Sequence, residues 1–232
     1  MNQPVHIRTQ DSQDEGNVVS RIEQHVVRAH AMDKIEMLAR ILQADGRGPT
    51  IVFCRTKRAC QKTSDDLIER GFKAATLHGD MGQAAREKAL NDFKGGKSDV
   101  LIATDVAARG IDIDGITHVI NYQCPEDEKT YVHRIGRTAR AGAYGIALTF
   151  VDWDELARWK MIDMALKLGL AEPVETYSSS EHLYAMMKIP PGSTGRMDKP
   201  RKSAPVTEKK VESAKAAPRE KRERVRTKKF TS

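Results

Sequence analysis

Residues 50–57 read Thr-Ile-Val-Phe-Cys-Arg-Thr-Lys. Ile51 to Cys54 form an unbroken apolar run, the pattern of a short strand buried on both faces. Arg55, Thr56 and Lys57 then place three donors directly at its end. The same rhythm recurs further along the chain. Arg58 to Arg70 reads as a helix stopped by Gly71, and Ala74 to Leu77 as a second short strand. Gln83 to Phe93 is helical, with Ala85, Ala89, Leu90 and Phe93 inward, and stops at Gly95-Gly96. Val100–Ala103 and His118–Asn121 read as the third and fourth strands, Asp127–Arg134 as a short helix and Ile146–Val151 as the fifth strand. Trp153 to Leu168 reads as one helix, with Leu156, Trp159, Ile162 and Leu166 on a stripe and Gly169 at its end. Strands alternating with helices predict an α/β fold with a parallel sheet flanked by helices on both sides. Ligands of such sheets sit at the carboxyl ends of the strands. Each polar motif of this chain follows a strand, at that end.

The flanks are less regular. Residues 1–17 are polar and without periodicity, and read as a flexible lead-in or an interdomain linker. Arg21 to Val27 alternates weakly and is expected to form an edge strand. Asp33 to Gln43 places Ile35, Leu38, Ile41 and Leu42 on one helical face, closed by Asp45-Gly46. The folded domain is expected over 18–175. A linker is expected over 176–195, where periodicity fades and Pro190-Pro191-Gly192 occurs. Residues 196–232 hold almost no large apolar groups. Burial there cannot offset chain entropy, so a disordered basic tail is expected.

The chain has 232 residues and a net charge of +7. Up to Gly195 there are 25 Lys and Arg against 27 Asp and Glu; from Arg196 onward there are 14 against 5. The domain is therefore slightly acidic, and the tail carries the whole excess. No stretch is long and apolar enough to cross a bilayer, and no signal-peptide pattern opens the chain. Cys54, Cys60 and Cys124 lack the spacing of a zinc site or a disulfide frame. They read as reduced thiols of a cytoplasmic protein.

Three later blocks carry chemistry. Leu77-His78-Gly79-Asp80-Met81 follows the second strand, and Arg86 lies in the first turn of the next helix. Gly79 allows close backbone approach. Arg86 is poorly placed for the helix dipole, which an anionic ligand would explain. An ordinary N-cap by Asp80 with an exposed Arg86 accounts for these residues equally well. Ala103-Thr104-Asp105-Val-Ala-Ala-Arg109-Gly110-Ile-Asp112-Ile113 follows the third strand. It offers a hydroxyl at Thr104, then a cation, a hinge and a carboxylate at Arg109, Gly110 and Asp112. A local Arg109–Asp112 ion pair is the plainer alternative for those two residues. Last, residues 131–142 read Tyr-Val-His-Arg-Ile-Gly-Arg-Thr-Ala-Arg-Ala-Gly. Arg134, Arg137 and Arg140 recur every third residue beside His133. Unpaired guanidinium charge resists burial, and arginine's planar fork matches phosphate oxygens. A solvated helix face would also hold three arginines, but the small Ala139, Ala141, Gly142 and Ala143 favour a pocket wall.

In order, Ile51–Lys57, Leu77–Arg86, Ala103–Ile113 and His133–Arg140 resemble motifs IV, IVa with QxxR, V and VI of the DEAD-box RNA helicases. The likeness covers roughly residues 20–170 and is nearest in wording to the bacterial RhlE-like branch. Ala139 departs from it, standing where the family usually has Gly; one added methyl is expected to be tolerated. The resemblance implies a RecA-like C-terminal helicase domain. It implies that Arg137 and Arg140 act as arginine fingers on ATP, that Asp112, with Gly110 before it, binds the ATP ribose side, and that His133 and Arg134 couple two lobes. Thr56, Gly79, Arg86 and Thr104 are implied to line an RNA backbone.

No GxxxxGK[ST] loop and no Asp-Glu-Ala-Asp string occurs. In the family these belong to an amino-terminal RecA-like lobe, which would hold Mg²⁺. The chain thus resembles half an enzyme, expected to be inactive alone: a piece of a longer protein, a truncated gene product or half of a split gene. A non-enzymatic RNA-binding or adaptor protein using the basic tail is the alternative expectation.

Overall fold

Among the described residues, seven strands, all parallel, form one sheet in the order β3-β4-β2-β5-β6-β1-β7. The computed structural model describes residues 21–109, 113–140 and 144–197. In chain order the elements are β1 (Ile22–Ala29), α1 (Lys34–Ile41), β2 (Thr50–Phe53), α2 (Lys57–Glu69), β3 (Ala74–Leu77), α3 (Gln83–Lys94) and β4 (Val100–Ala103). Then come α4 (Asp105–Ala108), β5 (His118–Asn121), α5 (Glu128–Ile135), β6 (Gly145–Val151), α6 (Leu156–Leu166), β7 (Val174–Thr176) and α7 (Glu181–Met187). The lead-in expected over 1–17 and nearly all of the tail expected over 196–232 lie outside the described residues.

The apolar runs become strands because alternate residues reach opposite faces and both faces are covered. Val52 and Cys54 pack under α1, α2 and α7 with Met37, Leu38, Leu67 and Leu183. Ile51 and Phe53 face the other way, with Phe93 of α3 and Ala107 of α4. On that second side, further along the sheet, Trp159 and Ile162 of α6 meet Tyr131 and Ile135 of α5. Trp159 is fully buried, donates Nε1–H to the Leu170 carbonyl at 2.7 Å, and stacks edge-on with Tyr131 at 5.4 Å. Tyr131 in turn donates to Gln24 at 2.7 Å. Burying side chains of this size stabilises by roughly 1.5–3 kcal/mol each, and here that energy fixes the helix that carries the arginine cluster.

Three features differ from the sequence expectation. First, β1 is not simply an edge strand: it lies between β6 and β7, and Val27, Arg28 and Ala29 pair with Val174, Glu175 and Thr176. The three residues of β7 give too little pattern to be read in advance. Second, the expected linker over 176–195 contains α7, whose Leu183 and Met187 are buried with Ile189 in the main core. Those three positions fit one helical face and its exit, a signal shorter than two turns. The following segment is pinned as well: Gln43 accepts from the Gly195 N–H at 2.9 Å and donates to the Arg196 carbonyl at 2.8 Å. Third, the helix expected from Trp153 opens as a 3₁₀ turn over Trp153–Glu155 before α6 begins. Buried Glu155 is held there by the Asp152 N–H at 3.1 Å and by an ion pair with Arg55.

The three cysteines are buried and free, and burial pushes each thiol up to about 12. His118 in β5 is also buried, with Nδ1 2.7 Å from the Thr117 hydroxyl. Burial, aided by the charge of Arg47, lowers its pKa from 6.5 to about 4. The folded state therefore resists protonation where the unfolded chain accepts it. Stability is expected to be intact above pH 6.5, to fall as pH drops from there towards 4, and to lose about 3 kcal/mol over that window from this group. Urea unfolding of the protein and of His118→Gln across pH 4–7 checks this; an unchanged difference between the two would exclude His118 as the source.

Candidate functional site at the carboxyl edge of the sheet

Register brings the polar loops together. Phe53 pairs with Ala103 on one side and Asn121 on the other, and Leu77 pairs with Ala103. The next residues continue the ladder: Thr104 N–H bonds to the Leu77 carbonyl at 3.1 Å, Cys54 N–H to Ala103 at 3.0 Å and Tyr122 N–H to Phe53 at 3.0 Å. The loops after β2, β3, β4 and β5 therefore open side by side.

Thr56 is the N-cap of α2, and its hydroxyl oxygen accepts from the Ala59 N–H at 3.1 Å. The side chain is exposed, so its own O–H still faces outward. Lys57 pairs with Asp80 across the surface and holds that carboxyl below its usual range. Asp80 is thus tied to the neighbouring loop, and the N-cap of α3 is Gly82, without a side-chain bond. Gly79 is exposed, and a Cβ built there meets nothing within 4 Å. Packing within the chain does not call for glycine at that position; the room lies on the outside. Arg86 is half-buried and donates to the Ala107 carbonyl at 2.8 Å, which ties α3 to α4. Thr104 is the N-cap of α4 and makes no side-chain capping bond. Gly110 and Asp112 lie outside the described residues, and with them the ribose side of the expected site.

The arginine cluster divides into distinct surroundings. Arg134 is 1% exposed. Its Nε and Nη2 donate to the two carboxylate oxygens of Asp105 at 2.6 and 2.7 Å. Its Nη1 reaches Asn121 Oδ1 at 3.2 Å and the Gln123 carbonyl at 3.0 Å, and its guanidinium lies 5.3 Å from the centre of the Phe53 ring. Such a fork pair is the strong geometry for this contact, and it answers how so large a cation is buried. Arg137 and Arg140 are half-buried. Helix α5 ends at Ile135, capped by Gly136, so neither residue continues its face. Ala139 between them adopts φ +57°, a left-handed conformation that strains any residue but glycine. The methyl expected to be harmless at position 139 therefore sits on a strained turn between Arg137 and Arg140. Below them, Thr138 donates to the Ile116 carbonyl at 2.6 Å. Gly145 is required there, because a Cβ would lie 2.2 Å from the Thr138 hydroxyl.

A pocket opens beside this cluster, lined by Phe53, Asp105, Arg109, His133, Arg134 and Arg137, with Ala108 and Thr130 at its rim. Asp105 is matched by Arg134, and Arg109 and Arg137 line the same pocket. His133 is exposed at its mouth. A concave surface lined by several arginines suits a phosphate-bearing ligand. Asp105, Asn121 and Gln123 were not singled out from the sequence. Asp105 and Asn121 could have been flagged, because each is a polar residue at or next to the end of an apolar strand. Gln123 carried no such sign. Among the described residues no helix is long and apolar enough to cross a membrane, and no group of three His, Cys, Asp or Glu could hold a metal ion.

Residues 33–142 match the family model described as the helicase conserved C-terminal domain. Over 168 residues the chain is 44% identical to the ATP-dependent RNA helicase CshA of Listeria monocytogenes serovar 1/2a, covering 72% of this chain and 32% of that protein. The chain thus spans about a third of the length of this curated relative. The name CshA lends no support to the narrower RhlE-like likeness, which rests on motif wording. Solved structures share the fold, among them two of Dbp5. The C-terminal domain of the DEAD-box protein Dbp5 is 32% identical with a TM-score of 0.63, covering 74% of this chain and 97% of that one. The structure of S. cerevisiae Dbp5 bound to RNA and ADP BeF3 is 30% identical with a TM-score of 0.62, covering 72% of this chain and 44% of that one. A seven-stranded parallel sheet of RecA type, the motif loops along its carboxyl edge and near-complete coverage of a solved domain agree: the chain belongs to the helicase C-terminal domains of the DEAD-box proteins.

Proposed function

We propose that this chain is the second lobe of an ATP-dependent DEAD-box RNA helicase. The observation that carries this reading is the buried Arg134–Asp105 fork, which ties the first residue of α4 to the last turn of α5, directly before the segment bearing Arg137 and Arg140. That tie supports a reading in which two phosphate-directed surfaces lie side by side. Arg137 and Arg140 would meet the ATP phosphates, and Asp112 with Gly110 the ribose. His133, exposed at the pocket mouth, would meet the facing lobe. Thr56, Gly79, Arg86 and Thr104 would line the RNA backbone: hydroxyls and helix N–H groups donate to phosphate oxygens without reading bases. Arg86 would act in part by holding α4 in place through Ala107.

Preorganised cations act where charge develops in the transition state, which is how an arginine supplied across an interface speeds phosphoryl transfer. Mg²⁺, held by the partner lobe, would neutralise phosphate charge when bound. This chain carries no phosphate cradle of the Walker type, so it is expected to hydrolyse ATP negligibly by itself. Joining it to a matching amino-terminal DEAD-box lobe should produce ATP turnover that RNA stimulates and DNA does not. A joined protein that binds both ligands yet shows no RNA stimulation would sink the proposal.

A further inference from the structure

The loop between β5 and α5 is the meeting point of three cations. Its successive carbonyls at Tyr122, Gln123 and Cys124 accept from Lys34 Nζ at 3.3 Å, Arg134 Nη1 at 3.0 Å and Arg55 Nη2 at 3.3 Å. Those cations come from the start of α1, from α5 and from the loop after β2. Behind them, buried Lys34 is neutralised by Asp152 at 2.6 Å, and Glu155 accepts from the Cys124 N–H at 3.3 Å. Most of this hub is backbone, which substitution leaves in place. One side chain of the loop takes part: Gln123 Oε1 accepts the Arg55 N–H at 2.8 Å. Arg55 directly precedes Thr56, the exposed N-cap of α2.

We infer that Gln123 is a positioning residue that links the arginine helix to the loop bearing Thr56. Its main-chain carbonyl is held by Arg134 and its side-chain carbonyl holds Arg55, so one residue spans the two surfaces. When Arg134 is seated on Asp105, the Gln123 carbonyl is fixed, and the amide then sets the turn that presents Thr56. The acceptor matters and the amide's own N–H₂ does not, because the Arg55 N–H needs only an oxygen. Glutamate keeps that oxygen at the same reach, whereas methionine keeps the volume and removes it. The inference rests on the second-lobe reading for its functional consequence but not for its structural one.

Two measurements test it on Gln123→Met and Gln123→Glu. In the full 232-residue chain, hydrogen exchange at the Arg55 amide should speed up by roughly five-fold or more in Gln123→Met, the worth of one ordinary hydrogen bond. The Cys54 amide, bonded to Ala103, should keep its protection. In the chain joined to an amino-terminal lobe, the concentration of polyuridine RNA giving half-maximal ATP turnover should rise about three- to ten-fold, more than kcat falls. Gln123→Glu should restore both. Normal Arg55 exchange or normal RNA half-saturation in Gln123→Met overturns the inference, and so does Gln123→Glu failing as badly as Gln123→Met. If the joined wild-type protein shows no RNA stimulation, the second-lobe reading fails, and the exchange experiment still decides whether Gln123 holds the turn.

Discussion

Replacing Arg137 or Arg140 by alanine in the joined two-lobe protein is expected to lower RNA-stimulated ATP turnover by about 10³–10⁵-fold. That corresponds to roughly 4–7 kcal/mol of barrier. The expectation follows from position as much as residue type. Both side chains are half-buried, beyond the end of α5, on a turn whose direction is set by the left-handed Ala139. Arg137 lines the pocket. An interaction made mainly in the transition state lowers kcat and kcat/KM together, so ATP affinity should change far less than turnover. Lysine at either position keeps charge but loses the planar fork and should recover little. Steady-state kinetics with saturating RNA, with thermal unfolding as the folding control, checks this; near-normal turnover in both alanine variants would remove the finger assignment.

The largest effect on stability is expected at Asp105. Removing its carboxylate leaves the Arg134 guanidinium, 1% exposed, with two of its nitrogens unmatched. Breaking a buried pair from one side costs about 3–5 kcal/mol. Asp105→Ala should therefore shift the urea midpoint strongly. Arg134→Met should shift it less, because Asp105 is 29% exposed and water can solvate it once its partner is gone. The double variant should recover part of the loss. This asymmetry separates a buried-charge account from simple loss of a contact: equal costs for the two single variants would contradict it. Both changes should also disturb turnover, since the fork joins the start of α4 to the end of α5, from which the turn bearing Arg137 continues.

These two cases show different degrees of legibility. That this segment lines a pocket, with Arg137 in its wall, could be read from the spacing of arginines beside small residues. That Arg134 differs from them could not, because periodicity every third residue treats all three alike. The helix ends after Ile135 and buries its last arginine, and the other two leave on a strained turn. Asp105 was quoted within its motif without a role, since a carboxylate after a strand has many possible partners. An N-cap by Asp80 was one of two readings left open; the cap is Gly82, and Asp80 pairs with Lys57, distant in sequence.

At the level of the fold, the sequence by itself determined the alternation of strands and helices, the parallel sheet and the edge where the motifs meet. Short apolar runs between helical stretches admit few other arrangements, and these are local patterns. Tertiary structure alone decided the place of β1 inside the sheet, the existence of β7, and the packing of α7 where a linker was expected. β7 and α7 are too short to announce themselves, and α7 holds because a larger surface was waiting to bury Leu183, Met187 and Ile189. The hub at Tyr122–Cys124 belongs to the same class. Its cations come from residues 34, 55 and 134, and only folding brings such distant charges to three neighbouring carbonyls.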